Sequence, residues 1–198
     1  MIDRNALKYR ANQLLSQRRW LCIGVCFLYG FVIAAVSGAS IGILALFIIP
    51  VMQVGLSTFT LRIWRNQPAD AETVFAGFRS FLRNVGAILL SNLLIFLWSL
   101  LFLIPGIMEF YALRFVPYIL ADTPDISAEN ALQLSRAMTR GKRWDLFLLD
   151  LSYIGWNLLS ALTFGLVGVF YVTPFYEITM AGAYETLSEA YYASPTSV

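Results

Sequence analysis

The segment that decides the fold is residues 85–121, in which two apolar runs are separated by one Pro-Gly pair. The first run, residues 85–104, reads VGAILLSNLLIFLWSLLFLI, and the second, residues 107–121, reads IMEFYALRFVPYILA. A helix that crosses a bilayer needs about 20 mainly apolar residues, and a Pro-Gly pair favours a sharp reversal. The segment therefore predicts a membrane hairpin of two helices that turns at Pro105 and Gly106.

The same pattern occurs on both sides of this segment. It predicts an all-α polytopic membrane helix bundle, with six transmembrane helices in three hairpins, as one membrane domain. The predicted spans are residues 20–36, 41–61, 85–104, 106–121, 144–164 and 166–183. The tight turns lie at 37–40, 105–106 and 165–168, and none carries a charge. The rest comprises an arm at 1–19, loops at 62–84 and 122–143, and a tail at 191–198, with hairpins at 20–61, 85–121 and 144–190.

Composition favours a membrane protein over a water-soluble domain. Hydrophobic residues make up 59% of the 198 residues and charged residues only 13%, whereas about a quarter of a soluble domain is charged. Twenty residues precede the first apolar run, and a second run follows it at once. We therefore expect a membrane-anchored N-terminal hairpin and not a cleaved signal peptide.

Thirteen of the fourteen Lys and Arg residues lie in three clusters outside the predicted spans. The clusters are Arg4, Lys8, Arg10, Arg18 and Arg19; Arg62, Arg65, Arg79 and Arg83; and Arg136, Arg140, Lys142 and Arg143. Because Lys and Arg mark the cytoplasmic side of membrane proteins, we expect both termini and both long loops in the cytoplasm of a multi-pass cell-membrane protein. The third cluster is predicted to face anionic lipid headgroups, and no nucleic-acid partner is expected.

The arm and the two loops are predicted to form amphipathic cytoplasmic helices. Apolar residues recur at helical spacing in residues 3–19, 71–85 and 127–140. Such helices lie in the headgroup plane, pack on the bundle or dock a membrane-protein partner. A homo-oligomer is a further alternative.

Four charged residues lie inside the predicted spans and are candidate functional residues. Their spacing from the turns places Arg114 and Glu177 near the middle of the membrane, Asp150 in the cytoplasmic half and Glu109 near the outer face. A charge in a span costs at least about 2.5–3.5 kcal/mol on insertion scales, so it usually finds a partner. We predict that Arg114 pairs with Glu177, with Asp150 as the competing partner. Such a pair either fixes helix register or lines a substrate or proton path.

The residue types give no indication of an enzyme, a cofactor or a metal. The chain has no histidine, so it has no Ser-His or Cys-His nucleophile pair and no His-based metal site. Cys22 and Cys26 lie four residues apart in one predicted span, where packing is expected and an intrahelical disulfide is not. We expect a protein without enzyme activity, cofactor or metal.

Short motifs between residues 104 and 185 carry a family resemblance. They are IPGI at 104–107, PYILAD at 117–122 with Pro124, Ser135-Arg136, GKRWDLF at 141–147, LDLSYIGW at 149–156, Pro174-Phe175 and Tyr184-Glu185. This set resembles a bacterial membrane family catalogued as domain of unknown function 975. The resemblance implies a six-helix protein of the bacterial cytoplasmic membrane, and it supplies no activity or substrate. It also implies a basic or neutral residue at position 109, where this sequence has Glu109.

Two functions follow from these observations. The first is a non-enzymatic membrane component that acts through lipid or protein partners, for example in envelope maintenance or export. The second is a small transporter or permease with a path lined by Arg114, Asp150 and Glu177. A transporter requires a cavity that reaches these three residues, whereas a partner-binding protein is expected to have a packed, dry bundle.

Overall fold

The chain folds into a bundle of α-helices in a computed structural model that describes residues 3–39, 43–163, 165 and 167–193. In these ranges the helices are α1 Arg4–Gln17, α2 Arg19–Ala39, α3 Ile43–Trp64, α4 Phe81–Leu101, α5 Leu103–Ala112, α6 Val116–Asp122, α7 Ala128–Thr139, α8 Arg143–Leu151, α9 Ile154–Leu162 and α10 Thr173–Tyr192. A 3-10 segment, Ala71–Ser80, precedes α4, and a π-helical segment, Gly168–Val172, precedes α10. The described residues contain no strand, so the predicted all-α class is confirmed. The predicted turns at 37–40 and 165–168 lie partly outside the described residues.

Four helical stretches in the described residues are long and apolar enough to cross a membrane. They are Arg19–Gly38, Leu44–Trp64, Ala71–Leu101 and Leu103–Asp122, which correspond to the first four predicted spans. The last two predicted spans are interrupted. The fifth breaks between α8 and α9, and the sixth begins with the π-helical segment. Membrane-spanning helices are therefore supported, and the number six stays a prediction.

Large apolar side chains remain exposed on the outside of these helices. On α4 and α5, for example, Phe96 is 63%, Leu100 75% and Ile104 73% exposed. Soluble monomers rarely expose apolar patches of more than a few hundred Å². Lipid tails would cover such a surface, which agrees with the membrane location expected from composition.

The α4–α5 hairpin turns at Phe102 and not at the predicted Pro105-Gly106 pair. Phe102 has extended backbone, while Pro105 and Gly106 lie in the first turn of α5. Proline is tolerated there because the first amides of a helix have no partner inside it. Gly106 lies against Ser99 of α4, where an added Cβ would collide. This glycine is therefore needed for close approach of the two helices and not for the reversal.

The prolines near the middle of three predicted spans differ in their effect. Pro117 lies in the first turn of α6, directly after a break at residues 113–115. Pro174 lies in the first turn of α10, directly after the π-helical segment. Pro50 lies inside α3, which is not interrupted there. The helix is therefore interrupted beside two of these three prolines.

Two of the predicted amphipathic helices pack onto the bundle. α1 buries the predicted apolar residues Leu7, Leu14 and Leu15, and α7 buries Ala131 and Met138. α1 packs mainly against α10, and α7 packs against α4, α5 and α6. Of the alternatives left open by the sequence, packing is the one that the structure shows for these two helices.

The third amphipathic segment is held by a close crossing. An added Cβ on Gly55 of α3 would collide with the carbonyl of Val74, and one on Gly77 with that of Val51. Val74 is therefore buried, whereas Phe78, predicted on the same apolar face, is 40% exposed. Contact between backbones at two glycines, more than an apolar stripe, fixes the 3-10 segment on α3.

The third basic cluster contacts a residue that was predicted on the opposite side of the membrane. Arg136 contacts Glu109 on α5, whereas Arg65 contacts Asp122 at the end of α6. Twelve residues, the rest of α5, the break at 113–115 and most of α6, lie between the two acidic residues. The sequence placed Glu109 near the outer face and Arg136 in the cytoplasm. Because these two side chains are in contact, the two predicted placements are not compatible with each other.

Candidate functional site

Arg114 lies in the break between α5 and α6, three residues before Pro117, which disfavours a regular helix through the residues before it. In this break the amide of Val116 donates to the carbonyl of Leu113 at 3.2 Å. The carbonyl of Ala112, which a regular helix would bond to the amide of Val116, is left free by this break. It accepts instead from the hydroxyl of Ser135 on α7 at 2.7 Å. A neighbouring helix thus satisfies the freed backbone group, as membrane helices with proline require.

Tyrosine hydroxyls link Arg114 to Asp150. The Nη2 group of Arg114 donates to Oη of Tyr176 on α10, and this hydroxyl donates to Oδ1 of Asp150 at 2.8 Å. Oη of Tyr111 donates to Oδ2 of Asp150 at 3.0 Å. The guanidinium also lies 5.0 Å from the ring centroid of Phe110 and 5.6 Å from that of Tyr176, within cation–π range.

The predicted ion pair between Arg114 and Glu177 is not formed. Tyr176 faces Arg114, and Glu177, the next residue on α10, accepts from Oη of Tyr118 at 3.4 Å. Consecutive residues on an α-helix point about 100° apart, so Tyr176 and Glu177 do not both face the guanidinium. Asp150, the predicted competitor, is connected to Arg114 through one hydroxyl. Both carboxylates are close enough to act on the charge of Arg114.

Two cavities border this cluster and share Tyr176 and Glu177 in their walls. One of 550 Å³ lies between α5, α8, α9 and α10 and is also lined by Asp150 and Tyr111. The other, of 160 Å³, lies between α2, α3, α6 and α10 and is also lined by Arg114. Arg114, Asp150 and Glu177, three of the four predicted intramembrane residues, therefore border open space.

The chemistry of the site consists of charges and hydroxyl groups. In the described part of the chain, no group of three or more Asp, Glu, Cys or His side chains could hold a metal ion. Cys22 and Cys26 are free thiols buried in α2, as expected for packing residues. The groups that border the cavities can bind a ligand by charge, by hydrogen bonds and by aromatic contact.

A second charged cluster ties α3, α6 and α10 together near the end of α6. Nη1 of Arg65 lies 2.6 Å from Oδ1 of Asp122, and Nη2 lies 2.9 Å from Oε2 of Glu185. Oη of Tyr184 donates to Oδ2 of Asp122 at 3.1 Å. The hydrogen bond to Asp122 raises the pKa of Arg65, so this guanidinium stays charged. From the sequence, Arg65 was interpreted only as an indicator of membrane orientation, and its cluster with Asp122 and Glu185 was not predicted.

Glu109 and the third basic cluster form a separate group. Oε1 of Glu109 accepts from Nε of Arg136 at 2.8 Å and from Nη2 of the same residue. Arg136, Arg140 and Arg143 line one cavity of 730 Å³, and Lys142 is the residue before the first turn of α8. Glu109 is therefore not part of the Arg114 cluster.

Three tyrosines that complete the Arg114 cluster, Tyr111, Tyr118 and Tyr176, were not predicted from the sequence. Tyr111 and Tyr118 lie three residues before and four residues after Arg114, a spacing that puts side chains on one helix face. That spacing was visible in the sequence. The contact of Tyr176 with Arg114 could not be predicted in this way, because it depends on whether Tyr176 or Glu177 faces Arg114.

Comparison with known proteins gives one match. Residues 105–191 match the family model described as Protein of unknown function (DUF975), so the resemblance drawn from the motifs is confirmed over this segment. The segment contains Arg114, Asp150, Tyr176 and Glu177, whereas Arg65 lies outside it. No curated protein and no solved structure matches the chain.

Proposed function

We propose that this chain, with its DUF975 segment, is a multi-pass protein of the bacterial cytoplasmic membrane that moves a small cationic solute without catalysing a reaction. One observation carries the proposal: cavities of 550 and 160 Å³ share Tyr176 and Glu177 and reach Asp150 and Arg114. A transporter requires open space at its charged residues. A protein that acts only through external partners does not.

The charges of the cluster support a cationic solute. Arg114 contributes one positive charge, and Asp150 and Glu177 contribute one negative charge each, so the ionised cluster has a formal charge of −1. Unbalanced charge in a membrane interior is costly. A proton or a small cation would restore neutrality, and the ring of Tyr111 on the 550 Å³ cavity offers cation–π contact. The ring centroid of Tyr153 on the same cavity already lies 4.6 Å from the ammonium of Lys8.

Contacts of the basic residues support a cytoplasmic position for both termini. Arg10 of α1 and Arg18, the residue after α1, donate to the backbone carbonyls of Trp64 and Gln67, each at 3.1 Å. The first basic cluster therefore meets the end of α3 that carries Arg65, and α10 reaches the same end through Glu185. The positive-inside rule assigns this end to the cytoplasm. Six crossings remain part of the proposal, with 144–164 and 166–183 as the broken helices that often form transporter sites.

Added cysteines test this orientation. Ser16→Cys on α1 and Ala190→Cys on α10 both lie at exposed positions, while the two native thiols are buried. A membrane-impermeant maleimide should label either added thiol only after the inner membrane is permeabilised. Labelling of either one in intact spheroplasts would contradict the orientation.

Purified protein reconstituted into liposomes tests the transport proposal. Uptake of methylammonium, Na⁺ and K⁺ is measured directly, and proton movement is followed with an entrapped pH-sensitive dye. At least one of these cations should enter faster than it enters protein-free liposomes. Glu177→Gln and Asp150→Asn should each lower that rate about tenfold, the equivalent of about 1.4 kcal/mol.

Glu189→Gln is the matched control, because it makes the same chemical change at an exposed position outside both cavities. This variant should keep the wild-type rate. Gel filtration and circular dichroism would show that each variant is folded. The proposal is wrong if folded wild-type protein moves none of the four cations, or if Glu189→Gln slows uptake as much as Glu177→Gln.

The basic cavity at the junction of α7 and α8 supports the second candidate function, a membrane component that acts through lipid or protein partners in envelope maintenance or export. Three of the four residues predicted to face anionic lipid line it. If the liposomes show no uptake, this second function becomes the proposal that the structure supports.

A further inference from the structure

A basic cavity of 730 Å³ lies where the chain turns from α7 into α8. Its lining includes Arg136, Arg140, Arg143 and Trp144. Gly141 in this turn has φ +76°, a left-handed conformation that favours glycine. The turn therefore brings arginines from both helices to one cavity.

The positive charge of this cavity is only partly balanced. Glu109 on α5 contacts Arg136, one of the three arginines that line the cavity, and these four side chains together carry a formal charge of +2. Nε of Arg143 is buried and has no hydrogen-bond partner among the described residues. No side chain caps the N-terminus of α8. An anion with several acceptor oxygens fits these donors.

An apolar cavity of 460 Å³ adjoins the basic one. It shares Arg143 and Trp144 with the basic cavity and is lined further by Ile104, Ile107 and Phe147. The ring of Trp144 stacks on that of Phe147 at a centroid distance of 5.1 Å and is 67% exposed. Tryptophan favours the level of the lipid headgroups. The two cavities thus form one site with a basic end and an apolar end.

We infer that this joined site binds one anionic phospholipid from the surrounding membrane. Its phosphate would contact Arg140 and Arg143, and one acyl chain would lie along Ile104, Ile107 and Phe147. Inorganic phosphate would use the basic end and leave the apolar end unfilled. A zwitterionic lipid would bring its own cation to the arginines. The inference does not depend on the proposed transport, because none of the three charged residues of the Arg114 cluster lines either of these two cavities.

Native mass spectrometry of the full chain in detergent, titrated with phosphatidylglycerol or phosphatidylcholine, tests this site. The wild-type protein should retain one phosphatidylglycerol with clear preference over phosphatidylcholine. A basic side chain at an anionic membrane surface contributes about 1 kcal/mol, which corresponds to about fivefold in affinity. Arg140→Gln with Arg143→Gln should therefore weaken phosphatidylglycerol binding roughly 25-fold and leave phosphatidylcholine unchanged. Arg79→Gln, at an exposed position on the 3-10 segment, is the control and should bind as wild type does.

The position of the bound lipid relative to Trp144 is tested by fluorescence quenching with phosphatidylglycerol that is brominated on its acyl chains. The quenching should fall in Trp144→Phe by more than the loss of one of five tryptophans explains. Equal wild-type affinity for the two lipids overturns the inference, and this comparison needs no variant to fold. Loss of the retained lipid to millimolar inorganic phosphate assigns the site to a soluble anion and also overturns it. An unchanged affinity of the folded double variant for phosphatidylglycerol would also overturn the inference.

Discussion

The Arg65 cluster and the Arg114 cluster contain the same groups in two different arrangements. Each has one arginine, two carboxylates and tyrosine hydroxyls. At Arg65 two carboxylates lie 2.6 and 2.9 Å from the guanidinium. At Arg114 the hydroxyl of Tyr176 stands between the guanidinium and Asp150, and cavities border the group. The first arrangement joins three helices, whereas the second leaves charged groups available to a ligand.

The surroundings of the two clusters explain why the same formal charge has different consequences. The three charged side chains of the Arg65 cluster are 21–30% exposed, so water and ions at the membrane surface screen its excess negative charge. The Arg114 cluster lies between helices at the break in Leu103–Asp122, one of the four stretches that can span the membrane. There the excess charge has less screening, which supports the proposal of a cationic solute.

The largest effect on stability is expected at Arg65. Removing one partner of a buried pair typically costs about 3–5 kcal/mol, and partial exposure reduces this, so Arg65→Met should lower the free energy of unfolding by about 2 kcal/mol. Equilibrium unfolding of the protein in mixed detergent micelles measures the change. Arg79→Met, at an exposed position outside the ion pairs found among the described residues, should change it by less than about 0.5 kcal/mol. Equal effects of the two substitutions would mean that the Arg65 cluster does not hold the helices together.

A smaller effect is expected from removing the hydroxyl between Arg114 and Asp150. Tyr176→Phe keeps the ring and should cost about 0.6–1.7 kcal/mol, the range for hydrogen bonds between membrane helices. It should also lower the coupling energy between Arg114→Gln and Asp150→Asn in a double-mutant cycle, and the direct attraction between the two charges should remain.

Tyr184→Phe is the matched test at the other cluster. The hydroxyl of Tyr184 contacts Asp122, but Arg65 reaches Asp122 directly. The coupling between Arg65 and Asp122 should therefore survive this substitution. If both tyrosine substitutions leave the arginine–aspartate coupling unchanged, the hydroxyl does not mediate the interaction of Arg114 with Asp150.

The two clusters also show how far the sequence could be interpreted. The break beside Arg114 was predictable, because Pro117 cannot donate a hydrogen bond wherever the helix packs. The contact of Arg114 with Tyr176, and not with Glu177, was not predictable, because it depends on the rotation of α10 about its axis. That rotation is set by packing against α3 and α1, which are distant in sequence.

Some local sequence patterns also fit more than one structure. Pro105 and Gly106 fit a turn, and they fit equally the first turn of a helix that packs closely on Ser99. The contact of Arg136 with Glu109 joins residues 27 apart, and nothing in their local spacing indicates it. Composition predicted the membrane helices, while the position of the third basic cluster required tertiary structure.

The smallest expected effect concerns the backbone that positions Arg114. Ser135→Ala removes the hydroxyl that bonds to the carbonyl of Ala112 at 2.7 Å, but Thr139 still donates to the same carbonyl at 3.3 Å. We expect a loss of about 0.6 kcal/mol in the unfolding free energy. In a Pro117→Ala background a regular helix can bond this carbonyl to the amide of Val116, so Ser135→Ala should then have no effect. An equal loss in both backgrounds would mean that Ser135 does not compensate the proline break. The stability difference between the two clusters would then come from their direct contacts alone, without a contribution from Ser135 to the backbone beside Arg114.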